Sequence, residues 1–229
     1  MTPRVAIVVF PGSNCEQDVL QAFACLGIRA EYVWHHVTDL GGFDAVVLPG
    51  GFSYGDYLRT GAIAAFSPVM DAVREYADDG GLVIGICNGF QILCEAGLLP
   101  GALRFNAGLK FICRPVKVRV ETCDSPFTSQ ARPGEIFEIP INHFQGNYYC
   151  PPEVLAALTA EHRIAFRYEG NPNGSAGDVA GVLSEGRNVL GMMPHPERAV
   201  DPAVGGTDGR IIFKSMMAAA RGIRVRAVR

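Results

Sequence analysis

A chain of 229 residues, 48% hydrophobic and 19% charged, can bury one substantial core or two small ones, and a single domain spanning 1–229 is expected. A net charge of −3, with no basic run before 221–226, disfavours nucleic acid as a partner. Seven cysteines without a C-x-x-C pair indicate neither a disulfide scaffold nor a zinc site, and the absence of a long apolar run or secretory pattern argues against membrane insertion and export.

The basic stretch 221–226 reads as a solvated end, with a partner contact as the lesser alternative. A reducing cytoplasm suits free thiols.

In chain order the pattern predicts a strand at 5–10, a helix over about 15–27, strands at about 30–35 and 44–48, a helix over about 61–79, a strand at 82–86 and a helix over about 88–97. Short β-branched runs alternating with helices are the signature of an α/β fold, a parallel sheet covered on both faces. The run 45–48 is apolar at every position, as a strand buried on both sides requires. From about 110 to 193 the pattern shifts toward strands, at 117–120, 135–139 and 189–192, read as antiparallel or mixed additions. The segment 169–175 is a loop by composition, and a closing helix fits 207–221.

In parallel sheets, sites gather at the carboxyl ends of strands. Three strands here end in glycine-bearing turns: Phe10-Pro11-Gly12, Leu48-Pro49-Gly50-Gly51 and Gly85-Ile86-Cys87-Asn88-Gly89. In the last, glycines two residues before and after Cys87 permit the sharp strand-to-helix turn of a nucleophile elbow, where bulkier side chains would collide with neighbouring backbone. A thiol presented at a helix N-terminus is biased toward thiolate.

A thiolate attacking an amide needs a proton carrier for the leaving amine, and His195 in Met193-Pro194-His195-Pro196-Glu197 is the strongest of the five histidines for that work. The two prolines bias Met193 and His195 toward extended backbone, in which residues two apart project to one side, so Glu197 is expected beside His195. A carboxylate on one ring nitrogen fixes the tautomer and leaves the other to face Cys87. Negative charge on the attacked carbonyl calls for two N–H donors, for which the backbone amides of Asn88 and Gly51 are candidates. Taken singly, Cys87 reads more readily as a buried filler, His195 at least as readily as a satisfied histidine, Glu197 as a solvated carboxylate and Gly50-Gly51 as an ordinary turn. Their combination favours chemistry. His35, His36 and His162 are assigned no role.

These motifs, with Phe10-Pro11-Gly12-Ser13-Asn14-Cys15, the run from Leu48 through Phe52-Ser53-Tyr54-Gly55-Asp56 to Arg59, and Gly206-Thr207-Asp208-Gly209, resemble the class I, triad-type glutamine amidotransferases over nearly the whole chain. The resemblance implies a flavodoxin-like single domain over 1–229. It implies hydrolysis of L-glutamine through a Cys87 glutamyl thioester, with His195 and Glu197 assisting. Gln91 matches the family position that contacts glutamine, and His143 lies in the stretch 140–149 that resembles the loop bordering the pocket. That loop departs from the usual His-Gly-Glu-Gly: Asn142 precedes His143, and Phe144 and Gln145 replace glycine and glutamate. The resemblance further implies a separate ATP-dependent synthetase chain and a small accessory chain as partners. ATP and magnesium are expected in the synthetase and no cofactor or metal here, where no P-loop occurs.

Two rival readings are weaker. Flavodoxin-like cysteine hydrolases or glyoxalase-type proteins usually place histidine directly after the cysteine, where this chain has Asn88. A non-catalytic binding subunit would not need Cys87, His195 and Glu197 intact.

Overall fold

The computed structural model describes residues 3–227, and side chains as far as residue 220, so the side chains of the basic stretch 221–226 lie outside the described residues. The elements run β1 (Arg4–Val9), α1 (Glu16–Cys25), β2 (Arg29–Trp34), β3 (Ala45–Leu48), α2 (Pro68–Asp78), β4 (Leu82–Ile86), α3 (Asn88–Glu95), β5 (Ala102–Arg104), β6 (Ile112–Val120) and β7 (Ile136–His143). They continue β8 (Asn147–Tyr149), α4 (Pro152–Ala160), β9 (Ile164–Tyr168), β10 (Val179–Leu183), β11 (Val189–Met192) and α5 (Gly209–Ala227).

Nine strands form one sheet in the order β2-β1-β3-β4-β11-β10-β9-β6-β7, and β5 pairs with β8 in a small ribbon. From β2 across to β11 the pairings are parallel. From β11 outward to β7 they are antiparallel. The α/β class and the antiparallel character of the second half thus match the sequence pattern. The chain moves one way from β1 to β2 and the other way through β3, β4 and β11. Right-handed crossovers then put α1 on one face and α2 and α3 on the other, and order reversal beside β1 creates a crevice at the carboxyl ends of β1 and β3.

Burial follows the pattern that produced the strands. Every residue of β3, β4, β10 and β11 is buried, which is what strands covered on both faces demand. On one side Phe23 of α1 meets Phe213 of α5 with ring centroids 4.9 Å apart. On α3, Phe90 packs where β11 has Gly191, whose missing Cβ would stand 2.1 Å from the Phe90 ring.

The expected helix 61–79 is shorter than its apolar periodicity suggests. A turn of 3-10 helix at Ala64–Phe66 is followed by extended Ser67, and α2 begins only at Pro68. The proline ring disfavours α geometry for the residue before it and suits the first helical position, so the pattern is cut at 67. At the other end of the chain, α5 starts at Gly209 and runs past the expected end at Arg221.

The close approach of α3 to β3 sets a test. A Cβ on Gly89 would sit 2.0 Å from the Leu48 carbonyl oxygen, whereas one on Gly108 meets nothing within 4 Å. Gly89→Ala should lower the urea midpoint, equivalent to a loss of about 1–3 kcal/mol or more, and Gly108→Ala should change stability by less than about 0.5 kcal/mol. Equal midpoints for the two variants would contradict this packing.

Candidate active site

Cys87 links β4 to α3 with φ 51° and ψ −103°, left-handed backbone that a side chain adopts only under constraint. The constraint is visible on both sides. Its N–H donates to the Met192 carbonyl at 2.8 Å and its carbonyl accepts the Gln91 N–H at 3.1 Å. A Cβ at Gly85 would lie 2.6 Å from the Gly89 carbonyl oxygen, so only glycines allow the strand and helix to meet at this angle. The thiol is buried at the helix N-terminus, and it donates to the Asn142 carbonyl at 3.7 Å.

His195 arrives from β11, which lies beside β4 in register Met192 to Ile86. Its N–H donates to the Pro140 carbonyl of β7 at 2.8 Å, and its Nδ1 lies 2.6 Å from Glu197 Oε1. Both side chains are almost wholly inaccessible, at 1% and 0%. The route to this pair differs from the expected extended chain. Residues Pro196–Arg198 form a 3-10 turn, and the turn, started by Pro196, folds Glu197 back onto the ring. Gly209 at the start of α5 lies close beneath it, since a Cβ there would be 2.0 Å from the Pro196 carbonyl oxygen.

Burial by itself would lower the His195 pKa, but Glu197 and the sulfurs of Cys87 and Cys15 outweigh it and hold the imidazole well above its ordinary value. The protonated ring is thus favoured, and its Nε2 makes no hydrogen bond of normal geometry among the described residues. His143 behaves oppositely. Desolvation first, then the nearby His195, push it down to about 3, so it stays neutral, with Nδ1 3.1 Å from Asn106 Oδ1.

The glycine turn after β3 closes against the turn after β1. Ser13 and Gly51 form a single antiparallel bridge, and Gly51 has φ 150°, where a Cβ would stand 2.8 Å from the Ser13 Cα. Asn88, first residue of α3, is fully occupied through its side chain: Oδ1 accepts the Ser53 N–H at 3.0 Å and Nδ2 donates to Gln91 Oε1 at 2.9 Å. Gln91 is buried rather than on an exposed helix face, and its Nε2 donates to the Gln145 carbonyl at 2.5 Å.

Gly51, Cys87, Gln91, His143 and His195 line one small cavity of about 130 Å³ at the carboxyl ends of β3 and β4. Asn88 and Glu197 stand directly behind it, so the structure brings together every residue singled out from the sequence. A larger open depression of about 1110 Å³ lies at the opposite ends of β4 and β11, near Leu82 and Val189, and contains no cysteine or histidine. The departures in the loop after β7 have a simple accommodation. Asn142 and Gln145 reach Cys87 and Gln91 through backbone carbonyls, and Phe144, at the edge of the cavity, packs on Phe105 with centroids 5.1 Å apart.

Two residues of the site were not legible as such. The Cys15 thiol receives Arg198 Nη2 at 3.2 Å and lies within 4.8 Å of the His195–Glu197 pair; burial first of all raises its pKa. Asp56 lines the cavity with one carboxyl oxygen buried and unpartnered. The available signal was their position in the two glycine turns, and turn composition alone does not say which side chain points inward.

A cysteine at a helix N-terminus, reacting as the thiolate beside an imidazolium backed by a carboxylate, can attack an amide carbon while the imidazolium protonates the amine that leaves. A family model described as a CobB/CobQ-like glutamine amidotransferase domain matches residues 2–206, and the chain belongs to that family. Among curated proteins, phosphoribosylformylglycinamidine synthase subunit PurQ of Koribacter versatilis is 57% identical, over 94% of this chain and 98% of its own. The protein of the same name from Thermus thermophilus is also 57% identical, over 93% and 97%. A solved structure of PurLQS from Thermotoga maritima contains a chain 45% identical, with TM-score 0.89 over 96% of this chain and 99% of that one. Within the amidotransferases, then, the chain is a member of the PurQ family.

The buried carboxylate sets a test of the pair. Glu197→Gln keeps the shape but removes the charge that holds His195 protonated and in one orientation. Glutamine turnover by this variant should fall on the order of 10²–10⁴-fold in kcat. An unchanged kcat would contradict a role for the pair.

Proposed function

We propose that this chain is the glutaminase subunit of phosphoribosylformylglycinamidine synthase. Cys87, as the thiolate whose proton His195 carries, attacks the side-chain amide carbon of L-glutamine, and the charge gathering on the amide oxygen is received by the backbone N–H groups of Asn88 and Gly51. His195 gives its Nε2 proton to the departing nitrogen, so ammonia leaves and a glutamyl thioester remains on Cys87. Neutral His195 then takes a proton from water, hydroxide adds to the thioester, and glutamate departs as the sulfur is released. Glu197 steadies the ring through both half-reactions, while Gln91 and His143 shape the substrate's pocket.

The observation that carries this reading is that Cys87, at its strained elbow, and His195, paired with buried Glu197, line one small cavity. Ammonia is mostly protonated in neutral water and then not nucleophilic, so it must pass through a water-excluded route to the enzyme that uses it. That enzyme is an ATP-dependent synthetase chain, which converts formylglycinamide ribonucleotide to formylglycinamidine ribonucleotide in purine biosynthesis, assisted by a small accessory chain. ATP and magnesium belong to the synthetase, and this chain uses no cofactor or metal of its own.

The rim of the cavity supports a docked partner. Tyr57 and Leu58, 74% and 90% exposed, stand in the loop between the cavity residues Asp56 and Thr60. Phe105, also exposed, packs on cavity-lining Phe144. Large apolar side chains gathered at one mouth are characteristic of an interaction surface. Among the described residues no helix is long and apolar enough to cross a membrane, and the proposed location is the cytoplasm.

Purified alone, the chain should hydrolyse glutamine slowly, and addition of the synthetase with ATP and acceptor should raise the rate. Within the complex, Cys87→Ser should abolish glutamine-dependent synthesis while ammonia-dependent synthesis persists. Full activity in isolation would contradict a coupled subunit, and equal loss of both syntheses would contradict the division of labour.

A further inference from the structure

The loop from Phe52 to Arg59 holds its backbone under strain. Tyr54, Asp56 and Leu58 all have positive φ, at 52°, 56° and 69°, alternating with Gly55 at 68° and extended Tyr57. Such backbone is unfavourable for a residue with a side chain and persists only where its surroundings hold it. Of the three, Asp56 is the one whose side chain lines the cavity shared by Cys87, Gln91 and His195.

Among the described residues no cationic side chain contacts that carboxyl. Oδ1 is buried and has no hydrogen-bond partner among the described residues. Desolvation raises its pKa to about 6. Arg59, three residues on, is turned to Glu95, with contacts of 2.8 and 2.6 Å. The other titratable groups lining the cavity are Cys15, Cys87, His143 and His195. His143 is neutral, and His195 already has Glu197 at 2.6 Å. No lysine or arginine lines the cavity, and Asp56 is its one carboxylate. A half-buried anion without a partner is costly, and a ligand that brings a cation removes that cost.

We infer that the Asp56 carboxylate receives the α-ammonium group of the substrate amino acid, so that the cavity selects a free α-amino acid amide over other primary amides. The inference rests on the glutaminase reading above and names the residue that recognises the end of the substrate remote from the reacting amide. Cys87 takes the amide at one end of the cavity, and Asp56 takes the ammonium. The strained turn is the device that aims the carboxylate inward while Tyr57 and Leu58 face out.

The test compares glutamine with glutaramate, the same molecule lacking its amino group, in the complex with the synthetase, ATP and acceptor. The wild-type complex should prefer glutamine in kcat/KM by at least ~10-fold, as expected for a charge-assisted hydrogen bond to a partly buried ion. Asp56→Asn should raise the KM for glutamine by ~10–100-fold, mainly without loss of kcat, and should leave the two substrates nearly equal. Equal proportional losses on both substrates would assign Asp56 a merely structural role and overturn the inference. So would an unchanged KM for glutamine, or a wild-type complex indifferent to the amino group, a result that needs no variant to fold. A complex that hydrolyses neither compound would instead overturn the glutaminase reading itself.

Discussion

The parallel pairing of β4 with β11 is the contact on which the site depends. It places Cys87 and His195, more than a hundred residues apart in the chain, at the ends of adjacent strands, and the Cys87 N–H to Met192 carbonyl bond fixes their relative height. A parallel strand rises about 3.3 Å per residue, so a slip of one residue would carry His195 that far from the thiol and reverse the side chains of β11. Complete burial of both strands is what prevents such a slip. β11 is also the seam of the sheet, parallel to β4 on one side and antiparallel to β10 on the other. The antiparallel half extends the sheet, and its strand β7 supplies the Pro140 carbonyl that holds the His195 backbone.

Around this seam the molecule places its backbone under constraint where chemistry occurs. Cys87, Gly51 and Asp56 all lie in turns with positive φ at the same rim. Cβ-free positions at Gly50, Gly85 and Gly89 let the helix, strand and imidazole approach to distances that side chains would forbid. The electrostatics are arranged with similar economy. Glu197 keeps His195 charged despite full burial, while His143, lacking a carboxylate, is left neutral a short distance away. Two histidines in one cavity are thereby shifted in opposite directions, His143 downward chiefly by desolvation and His195 upward by Glu197 against the same desolvation.

Much of this was legible in the amino-acid sequence, for reasons that can be named. The apolar runs at 45–48 and 82–86 admit little but buried parallel strands, and the Gly85–Cys87–Gly89 spacing belongs to a turn with few other occupants. The segments β9 and β10 were harder. β10 is buried throughout and so does not alternate, and its pairing with β9 is broken by irregular register. Helix α2 was overextended because apolar periodicity continues through Ala62 and Ala64 while the backbone is interrupted by Ser67-Pro68. The His195–Glu197 contact was expected from extended chain and arises from a 3-10 turn, since proline can open a turn as readily as it can hold a strand. Cys15 and Asp56 stood in quoted motifs, but their places in the site could not be read, because which side chain of a glycine-rich loop points inward is decided by tertiary packing.

The central claim is that Cys87, and no other thiol, attacks the substrate amide. The most direct measurement is to expose the complex to a diazo-ketone analogue of glutamine and to map the adduct by peptide mass. A single adduct on Cys87, whose formation glutamine suppresses, is expected. An adduct on the neighbouring Cys15, or labelling indifferent to glutamine, would contradict it.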